Sequence, residues 1–152
     1  MATSPADRGK SLEQRFRALC KEQENRQGFA FHRFPDARAG SRKEAPADYQ
    51  TMSDGIFRLI ECKECKYDGR LPYGNFDKAQ VGRMRLWALA GKSTAQGRGF
   101  VLVHHTTKDY YTVAKVENFI ERKEGKGSWF FNEMPHQVFA TLEEAFNYIH
   151  EC

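Results

Sequence analysis

The chain has 152 residues, of which 40% are hydrophobic and 13% aromatic, enough to bury the core of one compact domain. Its 24 lysines and arginines exceed its 20 aspartates and glutamates, giving a net charge of +4, which permits a nucleic-acid partner. No apolar stretch is long enough to cross a bilayer, and the first residues lack an apolar signal-peptide core. We therefore predict a cytoplasmic protein with no membrane partner and reduced cysteines.

The first predicted element is a helix. Ser11 and Gln14 have the spacing of a capping box, in which two side chains satisfy free amides at a helix N-terminus. Apolar residues then recur at helical spacing, and Gly28 ends the helix. Residues 1–9 before it are predicted to be a disordered tail, so that residues 10–152 form a single domain.

Hydrophobic periodicity and turn residues predict the remaining elements. In chain order they are a strand over 29–34, a mobile basic loop over 35–46, a hairpin over 48–63, a loop over 66–75, a helix over 76–90 capped by Asn75 and ended by Gly91, strands over 99–103 and 110–116, a short helix over 117–123, and a last helix that begins with a second capping box at Thr141 and Glu144. This order of elements is typical of a mixed α/β or α+β domain.

The predicted hairpin brings charged side chains together. Asp54 and Gly55 form a dipeptide suited to a two-residue turn, because both positions of such a turn take positive φ. Strand pairing outward from this turn sets Asp48 opposite Glu61. Lys63 lies two residues beyond Glu61, so all three side chains project from one face of the sheet.

This arrangement suits hydrolysis of a phosphodiester. Two facing carboxylates repel each other, and a divalent cation between them removes the repulsion. Mg²⁺ prefers such oxygen ligands, and Mn²⁺ substitutes for it. Lys63 adds a positive charge where an anionic transition state would form, beside the water that a metal activates. Acids also end surface hairpins by chance, but the apolar run over 56–60 favours a central strand.

The same residues belong to a longer resemblance. Asp48 followed by Glu61-x-Lys63 resembles the PD-(D/E)xK nuclease superfamily, and several segments are similar to the RecU-type Holliday junction resolvases of bacteria and their phages. These segments are RGKSLEQ (8–14), PADYQ (46–50), ECKECKYDGRLPYGNFDKAQ (61–80), FVLVHHTTKDYYTV (100–113) and FIERKEGK (119–126). The resemblance implies an α/β fold with a restriction-endonuclease-like core, in which helices flank a mixed central β-sheet.

The resemblance also implies roles for individual residues. Asp48, Glu61 and the backbone carbonyl of Cys62 would hold Mg²⁺, for which Mn²⁺ can substitute. The residues implied to act in catalysis are Lys63, which would steady the attacking water or the phosphoryl charge, Glu13, a further acidic group near the metal, and Gln80, which would hydrogen-bond near the active centre.

DNA is the substrate that the resemblance implies, and a homodimer would nick two opposed strands of a four-way junction symmetrically. Basic residues near the site would contact phosphates irrespective of base sequence. They are Arg33, Arg38, Arg42, Lys43, Lys66, Arg70 and Lys78. The long projecting stalk of the family is here only residues 35–47. A less selective phage or repair endonuclease and a non-catalytic DNA-binding module are therefore the alternative hypotheses.

The Cys62-x-x-Cys65 motif raises the alternative of zinc or redox chemistry. A zinc site takes about four ligands, whereas the other two cysteines are isolated in sequence. A redox pair usually opens a helix, and this one ends a predicted strand. We interpret the motif as two incidental thiols, and His104 and His105 as structural or DNA-facing residues.

Overall fold

The computed structural model describes residues 11–26, 28–35, 45–90, 98–120 and 127–152. Its helices are α1 (Leu12–Glu24), α2 (Lys78–Ala90) and α3 (Leu142–Glu151), and its strands are β1 (Phe29–Arg33), β2 (Tyr49–Ser53), β3 (Ile56–Cys65), β4 (Arg70–Pro72), β5 (Gly99–His105), β6 (Tyr110–Lys115), β7 (Ser128–Phe130) and β8 (Gln137–Phe139). The predictions for the tail over 1–9, for most of the basic loop and for Gly91 lie outside the described residues.

Six of the strands form one mixed sheet in the order β1-β2-β3-β5-β6-β8, and β4 pairs with β7 in a small second sheet. Strands β3 and β5 are parallel, whereas the other neighbours in the large sheet are antiparallel. Helices α1 and α3 pack on one face of the large sheet, which we call the α1 face, and α2 packs on the other, the α2 face. The predicted mixed α/β architecture is confirmed.

The centre of the sheet follows from the two most apolar strands. Every residue of β5 is buried, because helices cover it on both sides, and such a strand reads as a continuous apolar run. Its neighbour β3 is ten residues long and reaches beyond the end of β2. The last residues of β3 therefore project past the hairpin, and this is where Glu61 and Lys63 lie.

The hairpin turn has the predicted geometry. Asp54 and Gly55 have φ angles of 51° and 74°, the left-handed values that a tight turn of this kind requires. Tyr49 pairs with Ile60, and the ladder ends there. The predicted register is confirmed, and it puts Asp48 and Glu61 at the first position past the paired residues.

Two of the three predicted helix caps are correct. Both capping boxes, at Ser11 and at Thr141, are formed. The prediction that Asn75 caps α2 is wrong, because the Asp77 carboxylate accepts from the Gln80 amide at 2.9 Å and the Gln80 side chain accepts from the Asp77 amide at 3.1 Å. A turn, in which the amide of Phe76 donates to the carbonyl of Tyr73, precedes the helix. Helix α2 therefore begins two residues later than predicted.

We expect Asp77→Ala to lower the free energy of unfolding by about 1 kcal/mol, the usual contribution of a capping side chain. Urea unfolding would measure the loss. Asn75→Ala is the matched control, since its side chain makes one exposed contact, to the carbonyl of Glu64. An equal or larger loss in the control would contradict the assignment of Asp77 as the cap.

Two further local predictions need correction. The predicted loop over 66–75 contains β4, which pairs with β7 from far along the chain, and local patterns carry no sign of that pairing. The helix predicted over 117–123 is a single 3₁₀ turn, Val116–Asn118, since Phe119 leaves the turn to pack against Phe76. The last residues of that predicted helix lie outside the described ranges.

Across the described ranges, none of the helices has the length and hydropathy of a membrane span.

Candidate active site

The acidic cluster lies where β2 begins and β3 continues. Glu61 and Lys63 are two apart on β3, so both project to the α2 face, and the Lys63 ammonium is 2.9 Å from a Glu61 carboxylate oxygen. Asp48 immediately precedes β2, and its carboxylate accepts from the Cys62 amide at 2.8 Å. The structure thus brings Asp48, Glu61 and Lys63 together as the hairpin register predicts.

The Cys62 main chain is directed to the same place. The N–H and C=O of one strand residue point to the same neighbouring strand, and the Cys62 N–H meets the Asp48 carboxylate. The Cys62 carbonyl is therefore directed to the Asp48 side of β3. Two carboxylates and one main-chain carbonyl form the set of oxygen donors at this end of β3.

Burial makes this set of oxygen donors electrostatically unfavourable in the absence of a cation. Glu61 is only 7% exposed. Burial, together with repulsion from Glu61, raises the pKa of Asp48 to about 8. Burial also raises the pKa of Glu61, although the Lys63 ammonium acts in the opposite direction. The partly buried Asp48 and the buried Glu61 both resist ionisation, which suits a ligand that brings its own positive charge.

Lys63 supplies the internal positive charge of the cluster. Its side chain is mostly buried, and its ammonium lies 5.7 Å from the centre of the Phe76 ring. The negative face of an aromatic ring attracts an ammonium at this distance. Phe76 and Glu61 therefore hold Lys63 in a defined position beside the two carboxylates.

Glu13 of α1 contacts two residues of the sheet next to the cluster. Its carboxylate lies 3.3 Å from Nε of Arg33 on β1, and its main-chain carbonyl accepts from the Tyr49 hydroxyl at 3.1 Å. The Glu13 charge contributes to the raised pKa values of both Asp48 and Glu61. Glu13 is thus close enough to act on the pair electrostatically, although it comes from another element.

The donor set fits a magnesium ion. No group of three or more His, Cys, Asp or Glu side chains is arranged to hold a metal in the described part of the chain, which disfavours a closed zinc site. Mg²⁺ typically takes one or two protein carboxylates, keeps several waters and binds substrate phosphate. Asp48 and Glu61, with the Cys62 carbonyl, match that sparse requirement.

Comparison with solved structures finds proteins that are similar in fold. Among the solved structures that match, one is Hjc, a Holliday junction resolvase from the archaeal hyperthermophile Archaeoglobus fulgidus. The match covers 80% of this chain and 90% of that chain, with a TM-score of 0.52 and 20% sequence identity. The fold is restriction-endonuclease-like. No family model and no curated protein matches the sequence.

Gln80 has a structural explanation of its own. Its backbone amide and its side-chain oxygen both bond to Asp77 in the α2 capping box. The contacts that the structure gives Gln80 therefore stabilise the start of α2. The turn before this helix carries Phe76, whose ring faces Lys63. A role for Gln80 in catalysis stays a prediction.

The predicted DNA-binding residues have diverse surroundings. Arg33 pairs with Glu13, and Arg70 lies 3.9 Å from the centre of the Tyr67 ring while donating to the Ser128 hydroxyl at 2.7 Å. The Lys66 ammonium approaches the same Tyr67 ring at 5.6 Å, and Lys78 lines a hollow beside α2. Arg38, Arg42 and Lys43 lie outside the described residues.

The two cysteines of the C-x-x-C motif do not form a site. Cys62 packs on the α1 face and Cys65 on the α2 face, because residues three apart on a strand point in opposite directions. All four cysteines are free thiols. His104 and His105 are buried, and they bond to Asp109 and Thr112, respectively.

Tyr49 and Phe76 are neighbours of the cluster that the sequence did not single out. Tyr49 belongs to the predicted hairpin, but its hydroxyl bonds to α1, and the packing of that helix on the sheet could not be derived from local patterns. The sequence predicts Phe76 as the first residue of a helix, whereas it precedes α2 and faces Lys63.

Proposed function

We propose that this protein is a Mg²⁺-dependent endonuclease that resolves Holliday junctions by paired, symmetric nicks, as the RecU-type resemblance implies. The observation that carries the proposal is the pairing of the partly buried Asp48 with the buried Glu61, whose carboxylate lies 2.9 Å from the Lys63 ammonium. The fold supports it, because a resolvase of branched DNA shares it.

The residues of the cluster divide the work of phosphodiester hydrolysis. Mg²⁺ would be held by Asp48, Glu61 and the Cys62 carbonyl, and such an ion supplies Lewis acidity and an activated water. Lys63 presents its ammonium to the phosphoryl oxygens, whose negative charge grows in the transition state. Water attacks phosphorus in line with the 3′ oxygen, the P–O3′ bond breaks, and the 3′ oxygen takes up a proton. The products are a 5′-phosphate and a 3′-hydroxyl.

Sequence-independent binding would come from basic residues around the cluster. Lys66 follows β3 directly, Arg70 begins β4, and Lys78 begins α2. Contacts from such side chains to phosphates position a duplex without reading its bases, and they weaken as salt concentration rises. This suits an enzyme that selects DNA by its branched shape.

The test is cleavage of a synthetic four-way junction and of a linear duplex of matched sequence, each with Mg²⁺ and with a chelator. The proposal predicts Mg²⁺-dependent nicks at symmetric positions in two opposed junction strands, and little cutting of the duplex. Equal cleavage of both substrates would support a less selective endonuclease. Binding of the junction without cleavage in Mg²⁺ or Mn²⁺ would support a non-catalytic module.

Paired nicking needs two active sites, and α2 offers a surface for a second copy of this chain. Leu86, Trp87 and Leu89 are exposed large apolar residues on that helix, and apolar residues grouped on a surface are typical of protein interfaces. A two-fold symmetric dimer through α2 would match the two-fold symmetry of a four-way junction. We propose this homodimer as the functional unit.

Leu86→Glu is expected to convert the dimer into a monomer, because it puts a charge in the proposed apolar interface. Sedimentation equilibrium would show the mass of one chain for this variant and of two for the unmodified protein. Val138→Glu, at an exposed apolar position on the edge strand β8, is the matched control. A dimer that survives Leu86→Glu would exclude this surface as the interface.

A further inference from the structure

A hollow lies beside the first two turns of α2. Its volume is about 370 Å³, within the range of roughly 300–1,000 Å³ that pockets for small ligands span. Three of its lining residues, Val81, Phe119 and Trp129, are buried in the core on the α2 face, so they form an apolar floor. The indole N–H of Trp129 already donates to the carbonyl of Phe76 at 2.9 Å. The Trp129 ring therefore offers a ligand apolar contact and no hydrogen bond.

Two positively charged side chains line the same hollow. Lys78 and Arg85 reach it from α2, and neither makes an ion pair within the described part of the chain. Unpaired cations beside an apolar floor favour a ligand that has a flat apolar part and a negative charge. An unstacked nucleotide has both, because its base is flat and apolar on its faces and its phosphate is an anion.

Gly82 leaves the hollow open between the two cations. It lies about one helical turn from Lys78 and from Arg85, so the three residues share one face of α2. A glycine inside a helix destabilises that helix relative to alanine, and close packing is a common reason for its presence. Here a Cβ added at Gly82 would meet no neighbouring atom within 4 Å. Packing therefore does not account for this glycine, whereas a ligand that contacts both cations would need the space above it.

The hollow adjoins the acidic cluster through a single aromatic ring. The Lys63 ammonium lies 5.7 Å from the centre of the Phe76 ring. That ring centre is 5.3 Å from the ring centre of Phe119, which lines the hollow. Only Phe76 lies between Lys63 and the floor of the hollow, so a DNA strand with a phosphate at Lys63 can place a nearby nucleotide in the hollow.

We infer that this hollow is a site for one unstacked nucleotide of branched DNA, with its base on the apolar floor and its phosphate at Lys78 and Arg85. This inference rests on the proposed function, because it takes a DNA junction as the substrate. Moving a base out of an intact duplex costs free energy, and the cost is smaller where stacking or pairing is already disturbed. The hollow thus selects the branch point, and it accepts any base because every base has a flat face.

The test is a cycle of changes in the protein and in the DNA. Fluorescence polarisation in Ca²⁺ would measure affinity for a four-way junction and for the same junction with abasic nucleotides at the branch point. Contact with one base typically strengthens binding by about tenfold or more, so the unmodified protein is expected to prefer the complete junction by about tenfold. Gly82→Leu fills the hollow without changing charge and should bind both junctions equally.

Ala79→Leu is the matched control, because it adds the same side chain at an exposed position of α2 that does not line the hollow. It should keep the tenfold preference. Thermal unfolding and sedimentation equilibrium of each variant report separately whether the fold and the mass of the unmodified protein are retained, as we expect for both leucine variants.

Arg85→Gln is a second variant, which removes a positive charge and adds no bulk. A phosphate reaches Arg85 only when its base enters the hollow, so this variant should weaken binding of the complete junction more than binding of the abasic one. An equal loss for both junctions would show that Arg85 contacts the DNA backbone without regard to an unstacked base, contrary to the inference.

Three further results would overturn the inference. The unmodified protein could bind the two junctions equally, Gly82→Leu could keep the full preference, or Ala79→Leu could remove as much of it. A Gly82→Leu protein that keeps the preference and sediments as a monomer would assign the hollow to the contact between two copies of the chain. Failure of the proposed function is a separate result, the absence of Mg²⁺-dependent junction cleavage, which these binding measurements do not require.

Discussion

Lys63→Ala is expected to slow strand cleavage by about 10²- to 10³-fold, the usual effect of removing one group that stabilises transition-state charge. The variant loses the ammonium that lies 2.9 Å from Glu61. Burial raises the pKa of Glu61 and Lys63 lowers it, so Glu61 also becomes harder to ionise. Single-turnover cleavage of a junction measures the loss, and gel-shift titration in Ca²⁺ should show nearly unchanged binding.

Lys66→Ala is the matched control for this prediction. It removes the same charge three residues along the chain, where the ammonium faces the Tyr67 ring. We expect the control to cleave at close to the unmodified rate and to bind DNA somewhat more weakly. Cleavage by Lys63→Ala within a few-fold of the unmodified protein would remove Lys63 from the chemistry.

Asp48→Asn is expected to abolish cleavage and yet to stabilise the metal-free protein near neutral pH. The pKa of Asp48 rises from an ordinary 3.8 to about 8, by burial first and then by repulsion from Glu61. The folded state thus holds a proton that the unfolded chain releases. This contribution to stability is complete below the ordinary pKa and is lost progressively as pH rises to about 8.

Urea unfolding of the metal-free protein, measured over a range of pH, tests the direction in which stability changes with pH. A single proton difference changes the free energy of unfolding by up to about 1.4 kcal/mol per pH unit. Burial lowers the pKa values of His105 and His150, which gives a slope of opposite sign below the ordinary histidine pKa of 6.5. The slope of the unmodified protein should therefore be negative between pH 6.5 and about 8. Asparagine can still accept from the Cys62 amide but does not ionise, so Asp48→Asn should flatten most of this slope.

Asp68→Asn is the control for the pH series. A hydrogen bond from Tyr110 lowers the pKa of the exposed Asp68, so its replacement should leave the slope above the ordinary pKa unchanged. Added Mg²⁺ should stabilise the unmodified protein most at high pH, where it meets ionised acids. A flat profile for the unmodified protein between pH 6.5 and about 8 would contradict the raised pKa of Asp48.

The sequence was most informative where local chemistry determines geometry. A turn that requires positive φ at Asp54 and Gly55 fixes the register of the hairpin, and the register alone brings Asp48, Glu61 and Lys63 to one place. Capping boxes located two helix starts for the same reason, since both partners lie within one turn. Helix α2 was misplaced because its start depends on the turn that buries Phe76, which is a tertiary effect.

Contacts between distant elements could not be derived from the residues alone. The proximity of Glu13 to the acids was implied by the family resemblance, since local patterns do not determine how α1 packs on the sheet. The pairing of Arg33 with Tyr49 depends on the register between β1 and β2, which are separated by a long connection. The pairing of β4 with β7 was missed for the same reason.

A crystal structure with Mn²⁺, using the anomalous signal of the metal, tests the central claim most directly. The account predicts anomalous density between the carboxylates of Asp48 and Glu61, with the Lys63 ammonium moved away from Glu61. The account would be contradicted if crystals saturated with Mn²⁺ showed no anomalous density between the two acids and Lys63 remained bound to Glu61.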